Sequence, residues 1–512
     1  MPGSDQERGA HADEVDEVDE ERRLSKRRRV AAESETSGLY LDTVNRSVLD
    51  FDFETLCSVS LAPLNVYACL VCGKYFGGRG EGTHAYTHAL SHDHHVFINL
   101  TTLRTYCLPE AYEIHDASLA DIKYVIRPFY SRDQIAALDT NTAYSYDLNN
   151  KAYLPGFVGL NNIKHNDYIN VVLQVLAHVP PLRDFLLGDD CIDVVNGTVT
   201  VSAFPAKGKG KAVSASTISK ANATVKKSSE LAVRFASLVR KVWNPRGFKG
   251  QVSPHELLQE ITNASGRQFL LTAQSDPADF LAWFLNSLHM GLGGSPKKNG
   301  SSVIHAAFQG EVMVHSQAIA EGASSAETGV VQAFEEGKET TTTKSPFLFL
   351  SLDLPPAPLF QDEVERNIIP QVPLTQLLQK YDGVTDKEYT QSIKRFRLTK
   401  LPRYLLFHIK RFTKNNFTTE KNATIVNFPI RGLDMREYLD PAANETHTTY
   451  NLLANILHDG KPGATEGAYK AHVHCKGRDQ WLQVQDLIVE EVAAEMLFLG
   501  ESYLQVWERM EA

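Results

Sequence analysis

The chain has 512 residues, 43% of them hydrophobic and 22% charged, with a formal net charge of −10. That length admits more than one domain, and the composition is that of a soluble globular protein. The negative balance argues against bulk attraction to nucleic acid, six cysteines are too few for a disulfide scaffold and suit a reducing intracellular compartment, no apolar run has membrane-span length, and the polar N-terminus lacks the apolar core of a signal peptide.

Residues 1–38 show no hydrophobic period and are rich in Glu, Asp, Arg and Ser, which predicts a disordered tail. An acidic stretch over residues 11–22 gives way to the basic run Arg22 to Arg29 (RRLSKRRR), a pattern that also reads as a nuclear localisation signal. From Tyr40 to Tyr130 the texture is rich in Cys, His and aromatics, and a polar bridge over Ala137 to Asn150 follows. Gly159 to Leu176 (GLNNIKHNDYINVVLQVL) is a turn running into an apolar helix. A loop that opens into a helix N-terminus is a good seat for a nucleophile, because the free N–H groups and the helix dipole lower a thiol pKa and can hold an oxyanion.

Two stretches, Lys207 to Ser229 and Glu321 to Lys344, lack apolar period and predict exposed inserted loops, the mobile regions spanning about 196–229 and 315–345. Between them, Ser253-Pro254-His255-Glu256 predicts a capped helix start with Pro at its first position, and Phe280, Leu281, Phe284, Leu285 and Leu288 recur at helical spacing. After Pro346 the pattern turns to strands: FLFLSLDL, YLLFHIKRF, TIVNFPI, YNLLANILHD, YKAHVHC, WLQVQD and YLQVWER, separated by Gly, Pro, Asn and Asp. Helices first and strands later make an α+β domain.

Cys69-Leu-Val-Cys72 is a knuckle that presents two thiolates to one metal, and His84, His88, His92, His94 and His95 follow. Zinc takes four N or S ligands in a tetrahedron, and two thiolates with two imidazoles close a structural site. His84 and His88, four apart, share a face if helical. Cys57 has Ser60 where a second thiol of a CxxC would stand, and Cys107 has no nearby cysteine.

The segment Leu56 to Pro109 resembles the UBP-type zinc finger, and the resemblance assigns one structural zinc to Cys69, Cys72, His88 and His94. It also places Tyr106 where that family has a Trp in its ubiquitin-tail pocket, and leaves the pocket's Arg unassigned. Residues 156–510 resemble the ubiquitin-specific proteases. Gly159, Leu160, Asn162, Tyr168, Asn170, Leu173 and Gln174 match the cysteine box; Gln274 to Leu281, Leu401 to Phe412, Val426 to Pro429 and Tyr450 to Gly460 match later boxes. The resemblance implies a small zinc finger (39–135) ahead of a papain-like fold of thumb, palm and fingers (150–512). At the nucleophile position stands Asp167, at the general base Ala468, and at the orienting Asp or Asn Gln485. A thiol protease needs a thiolate, an imidazole and a group that fixes the imidazole, so this set predicts no catalysis. Cys475 lies near His472 and His474, but on a strand the cysteine faces away from both.

Within the family, the finger together with Ile369 to Pro373, Ile409 to Phe417 and Ile456 to Pro462 resembles the catalytically inactive, spliceosome-associated members. That implies a nuclear, non-enzymatic splicing factor supporting assembly or stability of the U4/U6·U5 tri-snRNP, with spliceosomal proteins as partners. The competing expectations are a ubiquitin or ubiquitin-like binding protein and a deubiquitinase using unconventional residues.

Overall fold

The computed structural model describes residues 40–194, 196–200, 225–318, 334, 339–356, 369–389, 391–414, 419–461 and 467–511. The N-terminal tail with its basic run, and the centres of both inserted stretches, lie outside the described residues. The chain divides into two compact units, residues 1–128 with 148–150, and residues 129–147 with 151–512. Phe129 to Asp147, read from sequence partly as finger and partly as bridge, packs with the larger unit. Tyr130 donates to the Arg240 carbonyl at 2.6 Å, Asp139 pairs with the buried Arg183 at 2.6 Å, and Arg478 donates to the Thr142 carbonyl at 3.1 Å.

The small unit is a five-stranded antiparallel sheet of β1 (Val66–Cys69), β2 (Tyr75–Gly77), β3 (Val96–Asn99), β4 (Thr105–Cys107) and β5 (Glu113–Ile114), in the order β2-β1-β3-β4-β5. Helix α1 (His84–His92) connects β2 to β3 and buries Ala85, His88 and Ala89. Tyr67, Phe76, Phe97, Tyr106 and Leu108 pack with these alanines into the core.

In the larger unit the helices come first: α2 (Asp167–Ala177), α3 (Pro180–Leu187), α4 (Glu230–Val242), α5 (His255–Ala264), α6 (Pro277–Gly291) and α7 (Val303–Phe308). All eleven residues of α2 are buried, as its near-continuous apolar sequence requires. Helix α5 begins one residue later than the sequence suggests, with Pro254 as a cap that has no side-chain hydrogen bond to offer. Helix α6 has the stronger start: Asp276 accepts from the Ala278 N–H at 2.7 Å and Pro277 takes the first turn.

Two short parallel strands, β6 (Gly159–Leu160) and β7 (Gln251–Val252), tie the box to α5. A four-stranded sheet runs β9-β8-β12-β11, from β8 (Gly310–Ala318), β9 (Thr340–Phe347), β11 (Lys387–Tyr389) and β12 (Ser392–Lys400). The threonine run Thr340 to Thr343, expected as loop, is therefore strand: it pairs in register with Val314 to Gln317. β-branched residues suit an extended backbone even where neither face is buried. The sheet that forms the floor of the site runs β10-β13-β19-β15-β16-β17-β18, with β14 added to β15. Its strands are β10 (Leu350–Asp353), β13 (Tyr404–Lys410), β14 (Leu433–Asp434), β15 (Thr449–Gly460), β16 (Gly467–Cys475), β17 (Gln480–Gln485), β18 (Ile488–Val492) and β19 (Ser502–Arg509).

Side chains alternate across this sheet as a period of two demands. On β13, Tyr404 and Leu406 join the helical core, whereas Leu405, Phe407 and Ile409 join a second core on the opposite face. Arg411, 1% exposed, follows β13 and donates to the carbonyls of Ser502, Thr424 and Asn422 at 2.6, 2.6 and 3.0 Å. The Lys-Arg-Phe signature thus has a structural reason: a forked cation closes three backbone acceptors that the sheet leaves open. Among the described residues, no helix is long and apolar enough to cross a membrane.

Candidate functional site

The box loop, β16 and the turn after β17 converge at the start of α2. Gly159 makes this approach possible, since a Cβ there would stand 2.6 Å from the Leu487 Cα. Leu160 N–H accordingly reaches the Asp486 carbonyl at 2.8 Å. Asn166, fully buried, holds the loop from within: its Oδ1 accepts from the Ile163 N–H at 2.7 Å, and its Nδ2 donates to Asn170 Oδ1 at 3.0 Å.

Asp167 is the first residue of α2 and is 6% exposed. Its Oδ2 accepts two hydrogen bonds, from Gln274 Nε2 at 2.8 Å and from the Tyr469 backbone N–H at 3.0 Å. Gln274 also donates to the Gly467 carbonyl at 3.4 Å. The carboxylate therefore bridges α2, the segment before α6, and β16. Burial pushes its pKa above the ordinary carboxylate value, against the two hydrogen bonds that favour the charged form. Ala468 immediately precedes Tyr469 and lies opposite Asp459 in the β15–β16 ladder, offering a methyl group. Gln485 ends β17, opposite Ile488.

The structure thus ties Asp167 to the residue after Ala468, and Gln485 ends β17 just before the turn that meets the box. Its neighbour Asp486 holds that turn in place, accepting from Asn170 Nδ2 at 2.9 Å and from Asn162 Nδ2 at 3.0 Å. From sequence alone Gln274 is only a box match and Asp486 has no role. The signal for both was the polar residue set of the two boxes, whose partners lie 107 and 316 residues apart.

Thiol chemistry has no ready nucleophile in this unit among the described residues. Burial raises the thiol pKa of both Cys191 and Cys475. His474 Nε2 is 3.0 Å from Asp479, and His472 Nε2 is 3.2 Å from Gln483. Burial also drives the His458 and His472 pKa values down to about 4.

In the small unit the donor atoms of Cys69, Cys72, His88 and His94 all lie within 4.8 Å of one another. The knuckle depends on Gly73, at φ +75°, where a Cβ would stand 2.3 Å from the Val48 carbonyl oxygen. Cys72 Sγ is 3.4 Å from His88 Nε2, Cys69 Sγ is 3.6 Å from His94 Nδ1, and the two ring nitrogens are 3.1 Å apart. A tetrahedral zinc with bonds of about 2.3 Å to sulfur and about 2.0 Å to nitrogen has S–N edges of roughly 3.5 Å and an N–N edge of roughly 3.3 Å. The donor set fits that ion. A hydrogen bond from the Cys69 thiol lowers the Cys72 thiol pKa below its ordinary value. His92 stacks on His88, at 4.4 Å between centroids, and lies outside the donor set, as does His84.

A second group, His95, Cys107 and Glu110, is also close-set. Its atoms are engaged with protein: His95 with the Leu108 carbonyl at 2.8 Å and Asp93 at 2.9 Å, and the Cys107 thiol with Glu110 at 3.3 Å. Arg79 lies over the Tyr106 ring at 4.1 Å, so the structure supplies an arginine beside that aromatic.

Replacing Asp167 separates its roles. Asp167→Ala leaves the buried Tyr469 N–H and the Gln274 amide without an acceptor and should cost about 1–3 kcal/mol. Asp167→Asn keeps an oxygen for both donors and should be at least as stable at neutral pH. Because the folded pKa is raised, the wild type should lose stability relative to Asp167→Asn as pH rises from below the unfolded value of about 3.9 through the folded one. Urea unfolding against pH checks this. An Asn variant as unstable as the Ala variant would contradict it.

The family profile described as "Ubiquitin carboxyl-terminal hydrolase" matches residues 158–507, and that described as "Zn-finger in ubiquitin-hydrolases and other protein" matches residues 56–119. The chain is 47% identical to human "Ubiquitin carboxyl-terminal hydrolase 39", over 97% of this chain and 85% of that protein. It is 45% identical to "Probable mRNA-splicing protein ubp10" of Schizosaccharomyces pombe, over 93% and 89%. Among solved structures, "Crystal structure of an essential yeast splicing factor" superposes with a TM-score of 0.69 at 29% identity, covering 92% of this chain and all of that one. A zinc finger followed by a hydrolase fold, matched by profile, by near full-length identity and by superposition, places this chain in the ubiquitin carboxyl-terminal hydrolase family.

Proposed function

We propose that this chain is a non-enzymatic pre-mRNA splicing factor that acts in the nucleus by supporting assembly or stability of the U4/U6·U5 tri-snRNP. One observation carries the absence of catalysis: a buried carboxylate, Asp167, occupies the seat of the nucleophile and is tied there by Gln274 and the Tyr469 N–H, with Ala468 where a base would stand. A carboxylate fixed by two donors and a methyl group cannot generate a thiolate or accept its proton. The splicing names of the relatives support the cellular role. The hydrolase shell at 150–512 then works as a binding surface, with spliceosomal proteins as its partners. Affinity purification of the full chain from nuclear extract, with sequencing of the co-purified RNA, tests the role. Enrichment of the U4, U5 and U6 small nuclear RNAs is expected. Recovery no better than from an untagged control would contradict it.

The finger, which ends by Pro128, holds one structural zinc through Cys69, Cys72, His88 and His94. The near-tetrahedral spacing of the four donors supports this. Metal binding supplies folding energy in such small units, so Cys69→Ala should abolish the zinc content and expose the finger to proteolysis. Zinc retained at the wild-type level would rule out this ligand set.

A second function, ubiquitin-tail recognition by the finger, is favoured by Arg79 over Tyr106, a cation beside an aromatic that could hold a carboxylate terminus. Ubiquitin titration followed by NMR separates it from the first. The splicing role alone predicts no shifts in ubiquitin at micromolar protein, and shifts lost on Arg79→Ala would establish the reader.

A further inference from the structure

A cavity of about 750 Å³ lies between the loop joining α6 to α7, helix α7 itself, the turn joining β12 to β13, and the end of β19. It is lined by five cationic side chains, Lys226, Lys298, Lys400, Arg403 and Arg509, against a single acidic one, Glu445. The chain as a whole carries −10, so this concentration of positive charge is not a consequence of composition. A concave wall of one sign focuses the field and raises the local concentration of the opposite ion.

Three of these cations have contacts that leave part of their donor capacity open. Arg509 Nη1 is 3.3 Å from Glu445 and 3.5 Å from the Leu401 carbonyl, while its buried Nε has no partner. Arg403 reaches Glu511 at 3.3 Å, a pair about half exposed and therefore weak. Lys226 donates to the Gly293 carbonyl at 3.3 Å. His305 stacks on His289 with centroids 3.5 Å apart, and its buried Nδ1 has no partner. Burial, with His289 and Lys400 nearby, keeps that imidazole neutral, so it can donate or accept. Ser295 and Ser301 add polar groups to the same wall.

We infer that this cavity binds a compact anion bearing several phosphates. Guanidinium forks match phosphate oxygens two at a time, and the lysines add point charge. The volume lies in the range of small-ligand sites. A nucleic-acid strand needs a continuous basic track, which the chain's acidic balance does not favour.

Isothermal titration of the full chain with sodium tripolyphosphate at physiological salt tests the assignment. Saturable binding with a dissociation constant below about 1 mM and a rise in melting temperature are expected. Lys400→Glu with Arg403→Glu should weaken binding by about tenfold or more, whereas Lys400→Arg should not. Should the double variant misfold, Lys298→Glu on the α6–α7 loop carries the same expectation. No saturable heat at several millimolar, or unchanged affinity in the folded charge-reversal variants, would overturn the proposal. So would a single-stranded RNA oligomer that binds the same residues more tightly than tripolyphosphate, since the ligand would then be nucleic acid.

Discussion

A carboxylate taken out of water must find donors, and Asp167 finds them in two segments far from it in sequence. Gln274 comes from the segment before α6 and the Tyr469 N–H from β16, so one oxygen joins α2 to that segment and to a strand of the main sheet. The surrounding polar groups obey the same constraint. Asn162 and Asn170 are both spent on Asp486, and Asn166 is spent on the loop itself. These donors and acceptors hold the loop, the turn and the helix together. The relation to the hydrolase family is thus one of architecture retained while the polar residues at its centre serve cohesion.

The same economy appears in the finger. Its sheet is small, its core rests on a few aromatics and alanines, and a domain of that size gains much of its stability from a bound metal. The knuckle glycine and the turn of α1 bring two sulfurs and two ring nitrogens to zinc-like distances without help from the neighbouring histidines. His92, His84 and His95 serve in stacking, at the helix start and in backbone hydrogen bonding, which is where surplus histidines in such a cluster belong.

Much of this was legible in advance, for reasons that can be named. The strands after Pro346 alternate or run apolar over five to ten residues, and YLLFHIK, YKAHVHC and YLQVWER each form the strand their pattern requires. The family boxes pointed to the loop, strand and turn that carry Asp167, Ala468 and Gln485, because each box spans a turn or strand with its own local pattern. Other features were hidden by distance or by weak local signal. A threonine run looks like low complexity until a partner strand is present, as at Thr340 to Thr343 beside β8. Gln274 and Asp486 act on residues more than a hundred positions away, which periodicity cannot reveal. Arg79 could not be matched to Tyr106 because a glycine-rich loop sets their approach. The span from Phe129 to Asp147 looked like part of the finger and a bridge because its polar surface conceals Tyr130 and Asp139, whose partners lie in the larger unit.

The central proposal is that this fold holds molecules and does not cut them. Incubating the purified full chain with ubiquitin bearing a C-terminal thiol-reactive electrophile, followed by intact mass measurement, examines it at the atom concerned. The account predicts no adduct on Cys191, Cys475 or any other cysteine. A stoichiometric ubiquitin adduct on one of them would contradict it.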